Sequence, residues 1–157
     1  MLTIDGDSLT IEEVARVART GEPVRLARTA LRRVEASRDA LVRIVKSGRA
    51  TYGVNTGFGE LEHVPIPKAD ALRLQENLVR SHAVGVGPPL SEDEVRASLL
   101  IRANALAKGY SGVRPAVVDL LLGMLNKAVH PVVPSRGSLG ASGDLAPLAH
   151  IALVMIG

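Results

Sequence analysis

The sequence predicts a mainly α-helical domain, and three observations carry that prediction. Two stretches read as helix-starting capping boxes, Thr10-Ile-Glu-Glu13 and Ser91-Glu-Asp-Glu94. In such a box the hydroxyl accepts from the backbone three residues on, and the glutamate reaches back to the hydroxyl residue's own N–H. Apolar residues recur at helical spacing in most segments between. Glycine or proline stands where each periodic run stops.

The elements follow in order. The first helix starts after Thr10 and runs to about Thr20, where Gly21 and Pro23 end it. Val24-Arg-Leu26 is short and suits a strand. From Thr29 to Ser47 the residues Leu31, Val34, Leu41, Ile44 and Val45 mark one helix face, and Gly48 suits a left-handed C-cap. Thr51 to Gly59 is a loop rich in Gly and Asn. Pro67 fits the first turn of a helix reaching Ala83. Gly85-Val-Gly-Pro-Pro89 breaks the chain. The second capping box opens a helix to about Lys108, with Gly109 near its end. Another covers Pro115 to Val129, and Pro131 and Pro134 force an extended stretch. A small-residue loop from Ser135 then leads into a helix, Leu145 to Ile156, that is apolar nearly all round. Such a helix is expected to be buried. It comes at the end of the 157 residues, so the sequence reads as one N-terminal portion of a longer protein, residues 1–157 without an internal boundary.

Composition narrows the function. The chain is 46% hydrophobic and 22% charged, which speaks against disorder. It has no cysteine, so disulfides, thiolate metal sites and a cysteine nucleophile are out. The pI of 9.7 invites a nucleic-acid reading, yet the net charge is only +3. The excess sits in the first fifty residues, with ten basic and seven acidic side chains, from Arg25 to Arg49 along one amphipathic segment. A solvated helix face explains that better than a nucleic-acid footprint, since two tyrosines and one phenylalanine offer few platforms for bases. No apolar run reaches the roughly 18–20 residues that span a bilayer, and no basic n-region opens the chain. No nucleic acid, no membrane and a cytoplasmic setting are therefore expected.

Three segments are candidates for chemistry. Gly140-Ala-Ser-Gly-Asp144 lacks the Walker Gly-Lys-Ser/Thr ending and the Gly-x-Ser-x-Gly hydrolase elbow. On those residues alone, a plain helix start fits best: Ser142 or Asp144 caps, and Pro147 occupies the first turn. Thr51-Tyr-Gly-Val-Asn-Thr-Gly-Phe-Gly59 reads equally well as a turn-rich loop. In Leu74-Gln-Glu-Asn-Leu-Val-Arg-Ser-His-Ala-Val-Gly-Val-Gly87, His82 alone would be a helix-end histidine. His63 has no second ligand at metal spacing, His130 suits a helix end, and His150 is expected to be a satisfied buried residue. Arg102 and Asn104 are read as structural, with Tyr110 a candidate lining residue.

Longer context shifts the balance. Pro134-Ser-Arg-Gly-Ser-Leu-Gly-Ala-Ser-Gly-Asp-Leu-Ala-Pro-Leu-Ala-His150 closely resembles the signature of the aromatic amino acid ammonia-lyases and aminomutases. The loop at Tyr52 and the segment at Ser81-His82 resemble two further signatures of that family, in the same order, and the likeness runs over nearly the whole chain. The resemblance implies the N-terminal part of the family's helical-bundle fold, with short strands and glycine-rich active-site loops.

It also implies a site. Ala141-Ser142-Gly143 would cyclise autocatalytically to a methylidene-imidazolone (MIO), with no external cofactor and no metal. The Gly143 nitrogen would attack the Ala141 carbonyl, and Ser142 would lose its hydroxyl as water. Tyr52 would be the base that removes the β-proton. Ser81 and His82 would select the substrate ring, and the Ser-His pair is that of the family's histidine-specific members. Gly59, Asp144 and Leu145 would support the loops. The implied reaction is elimination of ammonia from L-histidine to trans-urocanate, through either amine or ring attack on the MIO. The implied assembly is a homotetramer whose sites draw on several subunits. Another aromatic amino acid ammonia-lyase, an aminomutase, or an inactive helical fragment that only associates with other subunits remain alternatives.

Overall fold

The computed structural model describes residues 1–67 and 69–157. Helix α1 (Ile11–Thr20) opens with the predicted box: Thr10 Oγ1 accepts from Glu13 N at 3.2 Å, and Glu13 Oε2 accepts from Thr10 N at 3.0 Å. Helix α4 (Glu92–Ala107) opens the same way at Ser91 and Glu94. Between them lie α2 (Arg28–Lys46) and α3 (Ala71–His82); α5 (Pro115–Asn126) and α6 (Leu145–Ile156) follow.

Helix α4 is the centre. It packs against α1, α2 and α5, and it buries Val95, Leu99, Leu100, Ala103 and Leu106. Val17 of α1 and Val118, Leu121 and Leu125 of α5 complete this core. Strand β1 (Leu2–Ile4) pairs in parallel with β2 (Val24–Leu26), so the expected short strand exists and gains a partner at the N-terminus. Asn126 at the end of α5 clasps Val24, accepting from its N–H and donating to its carbonyl, both at 2.8 Å.

Buried Arg96, 4% exposed, joins three elements. It donates to Ala18 O at 2.9 Å, Val17 O at 3.1 Å and Leu125 O at 3.1 Å. Those carbonyls lie at or near the C-terminal ends of α1 and α5; Arg96 satisfies that of Ala18 and is a second donor to those of Val17 and Leu125, which also accept from Gly21 N and Ala128 N. The fixed guanidinium charge also complements both helix dipoles. His130, expected at a helix end, instead lies four residues beyond the end of α5 and faces α4: its Nε2 is 3.2 Å from Arg96 Nη1 and its Nδ1 3.4 Å from Glu92 Oε1.

Several expectations are corrected. Pro67 does not enter the first turn of α3, because a turn closed by Asp70 N to Pro67 O comes first and the helix begins at Ala71. Val86–Pro89 does not merely break the chain. It forms β3, antiparallel and irregular against β4 (Pro134–Arg136), since prolines are tolerated on such edges. Helix α5 stops at Asn126 instead of Val129: Ala128 turns left-handed at φ 54°, and Val129 N donates back to Met124 O at 2.9 Å. The basic face of α2 is not wholly solvated, since Arg33 bonds the Asp5 and Ala107 carbonyls and Arg38 that of Gly112. Gly109 is required by close approach, for a Cβ there would lie 2.7 Å from Arg33 O.

Helix α6 is the largest correction. It packs against α3 and buries Ala146, Ala149 and Ile151, but Leu145, Val154 and Ile156 are about half exposed. Within this chain it finds a partner for one side only. No helix among the described residues is long and apolar enough to cross a membrane.

Candidate active site

The loop after α2 is laced by Asn55. Its Oδ1 accepts from Thr51 N at 2.7 Å, its Nδ2 donates to Arg49 O at 3.0 Å, and its carbonyl accepts from Ile66 N at 2.9 Å. Gly57 N donates to Val64 O, and Thr56 bridges Pro65, which folds the loop onto itself. A Cβ on Gly57 would stand 2.6 Å from Leu61 O, so only glycine fits. The result presents Tyr52, 60% exposed, edge-on to Phe58 with ring centroids 5.7 Å apart.

The second segment is the C-terminal turn of α3. His82 Nδ1 lies 2.8 Å from Leu78 O, and Ser81 Oγ donates to the same carbonyl at 3.0 Å. A carbonyl only accepts, so the Nδ1 of His82 carries a proton, and in the neutral ring Nε2 is then the acceptor.

The third segment is the tripeptide. Gly140–Ser142 forms a 3-10 turn, Gly143 N donates to Gly140 O at 3.0 Å, and Gly143 is left-handed at φ 84°. A Cβ on Gly143 would meet nothing within 4 Å. In the open-chain loop, then, glycine is needed at 143 for its backbone angle and not for crowding. Neither Ser142 nor Asp144 caps α6 through its side chain, contrary to the plain helix-start reading. Ser142 Oγ donates back to Leu139 O at 2.8 Å. Asp144 is itself left-handed at φ 58°, and its carboxylate accepts from Ser138 Oγ.

These segments meet at a cavity of about 800 Å³ walled by α3, α4, α5 and α6. Tyr52, Gly59, His82, Ser142 and Leu145 all line it. Ser81, Ala141, Gly143 and Asp144 stand next to lining residues and are not themselves in the wall. Tyr110, a candidate for the lining, is 88% exposed and lies outside it. Arg102, read as structural, does line it, as does Phe58. Phe58 falls within the loop signature around Tyr52, so the signal for it was there; for Arg102 nothing in the helix pattern marked which face it takes. Asn104 is structural as expected, accepting from Gly6 N at 2.9 Å. Most of the wall is apolar, with Leu78, Leu106, Val117, Leu121 and Met155. Such a wall with a few convergent polar groups is the ordinary make-up of a small-molecule site. Among the described residues, no group of three or more His, Cys, Asp or Glu is placed to hold a metal ion.

The chain matches the aromatic amino acid lyase family over residues 9–157. It is 55% identical to a histidine ammonia-lyase of Geobacillus thermodenitrificans over 157 residues, which is all of this chain and 31% of that relative. It superposes on the tyrosine aminomutase from Streptomyces globisporus with a TM-score of 0.94 at 42% identity, covering 99% of this chain and 29% of the other. A histidine ammonia-lyase from Trypanosoma cruzi gives a TM-score of 0.89 at 37% identity, covering 99% and 29%. The chain thus spans about a third of the length of the curated relatives it matches.

Proposed function

Because the chain belongs to the aromatic amino acid lyase family, we propose that it carries the electrophile-forming and ring-recognising part of a site that eliminates ammonia from L-histidine to give trans-urocanate. The observation that carries this reading is that Tyr52, His82 and Ser142, from three separate segments, line one cavity. The proposal includes that residues 1–157 are the N-terminal portion of a longer cytoplasmic enzyme, working as a homotetramer.

The residues fit an MIO. Ala141, Ser142 and Gly143 are small, Gly143 sits in the tight left-handed turn that ring closure favours, and space is open around it. Once formed, the group supplies an electrophile that no standard side chain offers. The site lies at the N-terminal end of α6, whose dipole favours electron density there. Tyr52 takes the β-proton, with Phe58 fixing its ring and Arg102 adding positive charge to the same cavity. His82 Nε2 accepts from the N–H of the substrate imidazole, which a purely apolar ring does not offer. Ser81 holds the Leu78 carbonyl and thereby that tautomer.

The test has two parts. The intact mass of the protein is expected two waters below the encoded mass, and Ser142→Ala restores the full mass and abolishes urocanate formation. Tyr52→Phe keeps the mass deficit and loses turnover by about a hundredfold or more. Histidine, tyrosine and phenylalanine are assayed side by side. The fold is shared with a tyrosine aminomutase, so the alternative is another aromatic amino acid ammonia-lyase or an aminomutase; turnover of tyrosine or phenylalanine would support it, and no urocanate from histidine would count against the histidine reading. An unmodified mass would favour the associating helical fragment.

A further inference from the structure

We propose that His150 is a positioning residue: its imidazole staples the chain just beyond His82 to the helix just beyond the Ala-Ser-Gly tripeptide, and so sets one end of the substrate site against the other. The inference rests on the functional reading above for what the two ends do. The staple itself rests on geometry alone.

Gly85 N donates to His150 Nε2 at 3.1 Å, across 65 residues of sequence. A backbone N–H can only donate, so Nε2 carries no proton and the ring is the neutral Nδ1–H tautomer. Gly85 follows His82 by three residues, and α3 ends at His82. His150 lies in α6, whose first residue, Leu145, is two beyond Gly143. The approach at this point is close on every side. A Cβ on Gly85 would stand 3.0 Å from His150 Nε2 and 3.1 Å from Pro134 Cβ. A Cβ on Gly137 would stand 3.0 Å from Gly85 Cα. The chain beyond α3, the segment leading into the tripeptide and the helix leaving it are therefore pressed together at one glycine.

The neighbouring packing gives this bond its weight. Helix α3 packs against α6 yet has no fully buried residue. Few dry apolar contacts hold α3 in place, so a directional bond at its C-terminal end decides where His82 stands relative to Ser142. Alignment of that kind acts on turnover more than on binding, since reacting groups misplaced by an ångström lose rate while contacts persist.

The experiment uses the complete enzyme and three variants, with kcat expressed per MIO-bearing chain from intact mass. His150→Leu removes the acceptor. His150→Gln returns an amide oxygen at the reach of Nε2. Gly85→Ala drives a methyl against the ring. We expect His150→Leu to lower kcat about tenfold or more while KM changes less than about threefold, His150→Gln to return kcat to within about threefold, and Gly85→Ala to behave like His150→Leu. Amide exchange of residues 83–89 should speed up in the Leu and Ala variants and not in the Gln variant. If the Leu variant fails to fold, the Gln and Ala variants decide by the same readings. Unchanged kcat in the Leu and Ala variants, or a Gln variant as slow as Leu, would overturn the proposal. A wild-type enzyme that makes no urocanate would instead overturn the functional reading, and amide exchange alone would then decide whether the staple exists.

Discussion

The two halves of this chain are built differently. Around α4 the packing is closed: the core of α1, α4 and α5 is dry, Arg96 seals two helix ends, and Asn126 ties α5 to the edge of β2. Around α3, α6 and the glycine loops the packing is open: α3 buries nothing fully, and α6 leaves Leu145, Val154 and Ile156 half exposed. Tyr52, His82 and Ser142 belong to the open half, while the closed half lends its α4 and α5 faces as the cavity's back wall. Stability and chemistry are thus divided. On the proposed function, a loop that would bend, cyclise and admit a substrate could not also be locked by dense packing, and the anchored half would supply the rigid surface against which it works.

The sharpest way to break this division is to strike one apolar residue in each half. Leu99→Ala empties a fully buried position at the centre of α4 and should cost about 2–5 kcal/mol in denaturant unfolding. Leu72→Ala, at a position 73% exposed on α3, should change the same measurement by less than about 0.5 kcal/mol. Equal losses would mean that the halves are one packing unit. Arg96→Leu comes next. It keeps side-chain bulk but leaves the Ala18 carbonyl without its donor, while Val17 O and Leu125 O keep backbone donors from Gly21 N and Ala128 N, and a loss of about 1–3 kcal/mol is expected from the one unsatisfied buried acceptor. A neutral outcome there would show that water reaches those helix ends.

The closed half was also the more legible in sequence. Capping boxes are local, so Thr10–Glu13 and Ser91–Glu94 fixed two helix starts without knowledge of any neighbour. What stayed hidden depends on partners distant in sequence: the pairing of β1 with β2, the β3–β4 ladder, and the face on which Arg102 reaches the cavity. Helix α6 misled in an instructive way. Its all-round apolar pattern says that it prefers burial, but pattern alone cannot say which surface covers it, and in this chain half of it stays open. At the site, the segments carrying Tyr52, His82 and Ser142 were identified by family resemblance, and their meeting at one cavity is a tertiary fact. His150 is half-buried rather than buried as expected, and its staple to Gly85 lay beyond sequence reasoning, because a satisfied histidine and a positioning one look alike until the partner is known.

The smallest effect concerns acid. Among the described residues, the carboxyls held below their ordinary range, Asp5, Glu22 and Glu94, all belong to the closed half. Asp5 falls from 3.8 to about 2, chiefly because its carboxylate accepts backbone N–H bonds from Ser8 and Asp7, at 2.9 and 2.8 Å. As pH drops below 3.8 the unfolded chain binds this proton before the folded one does, so the contribution is whole above 3.8 and fades as pH falls toward about 2. Asp5→Asn keeps an acceptor oxygen for both N–H groups and removes the titration. Its unfolding free energy should therefore depend less steeply on pH than the wild type's between about 4 and 2, with the two curves running parallel above that window. Solvent screening at this partly exposed carboxylate keeps the difference small. If the curves also diverge near neutrality, the charge of Asp5 matters to the folded chain beyond its own turn, and Arg33, which donates to the Asp5 carbonyl and pairs with Asp7, is the group to substitute next.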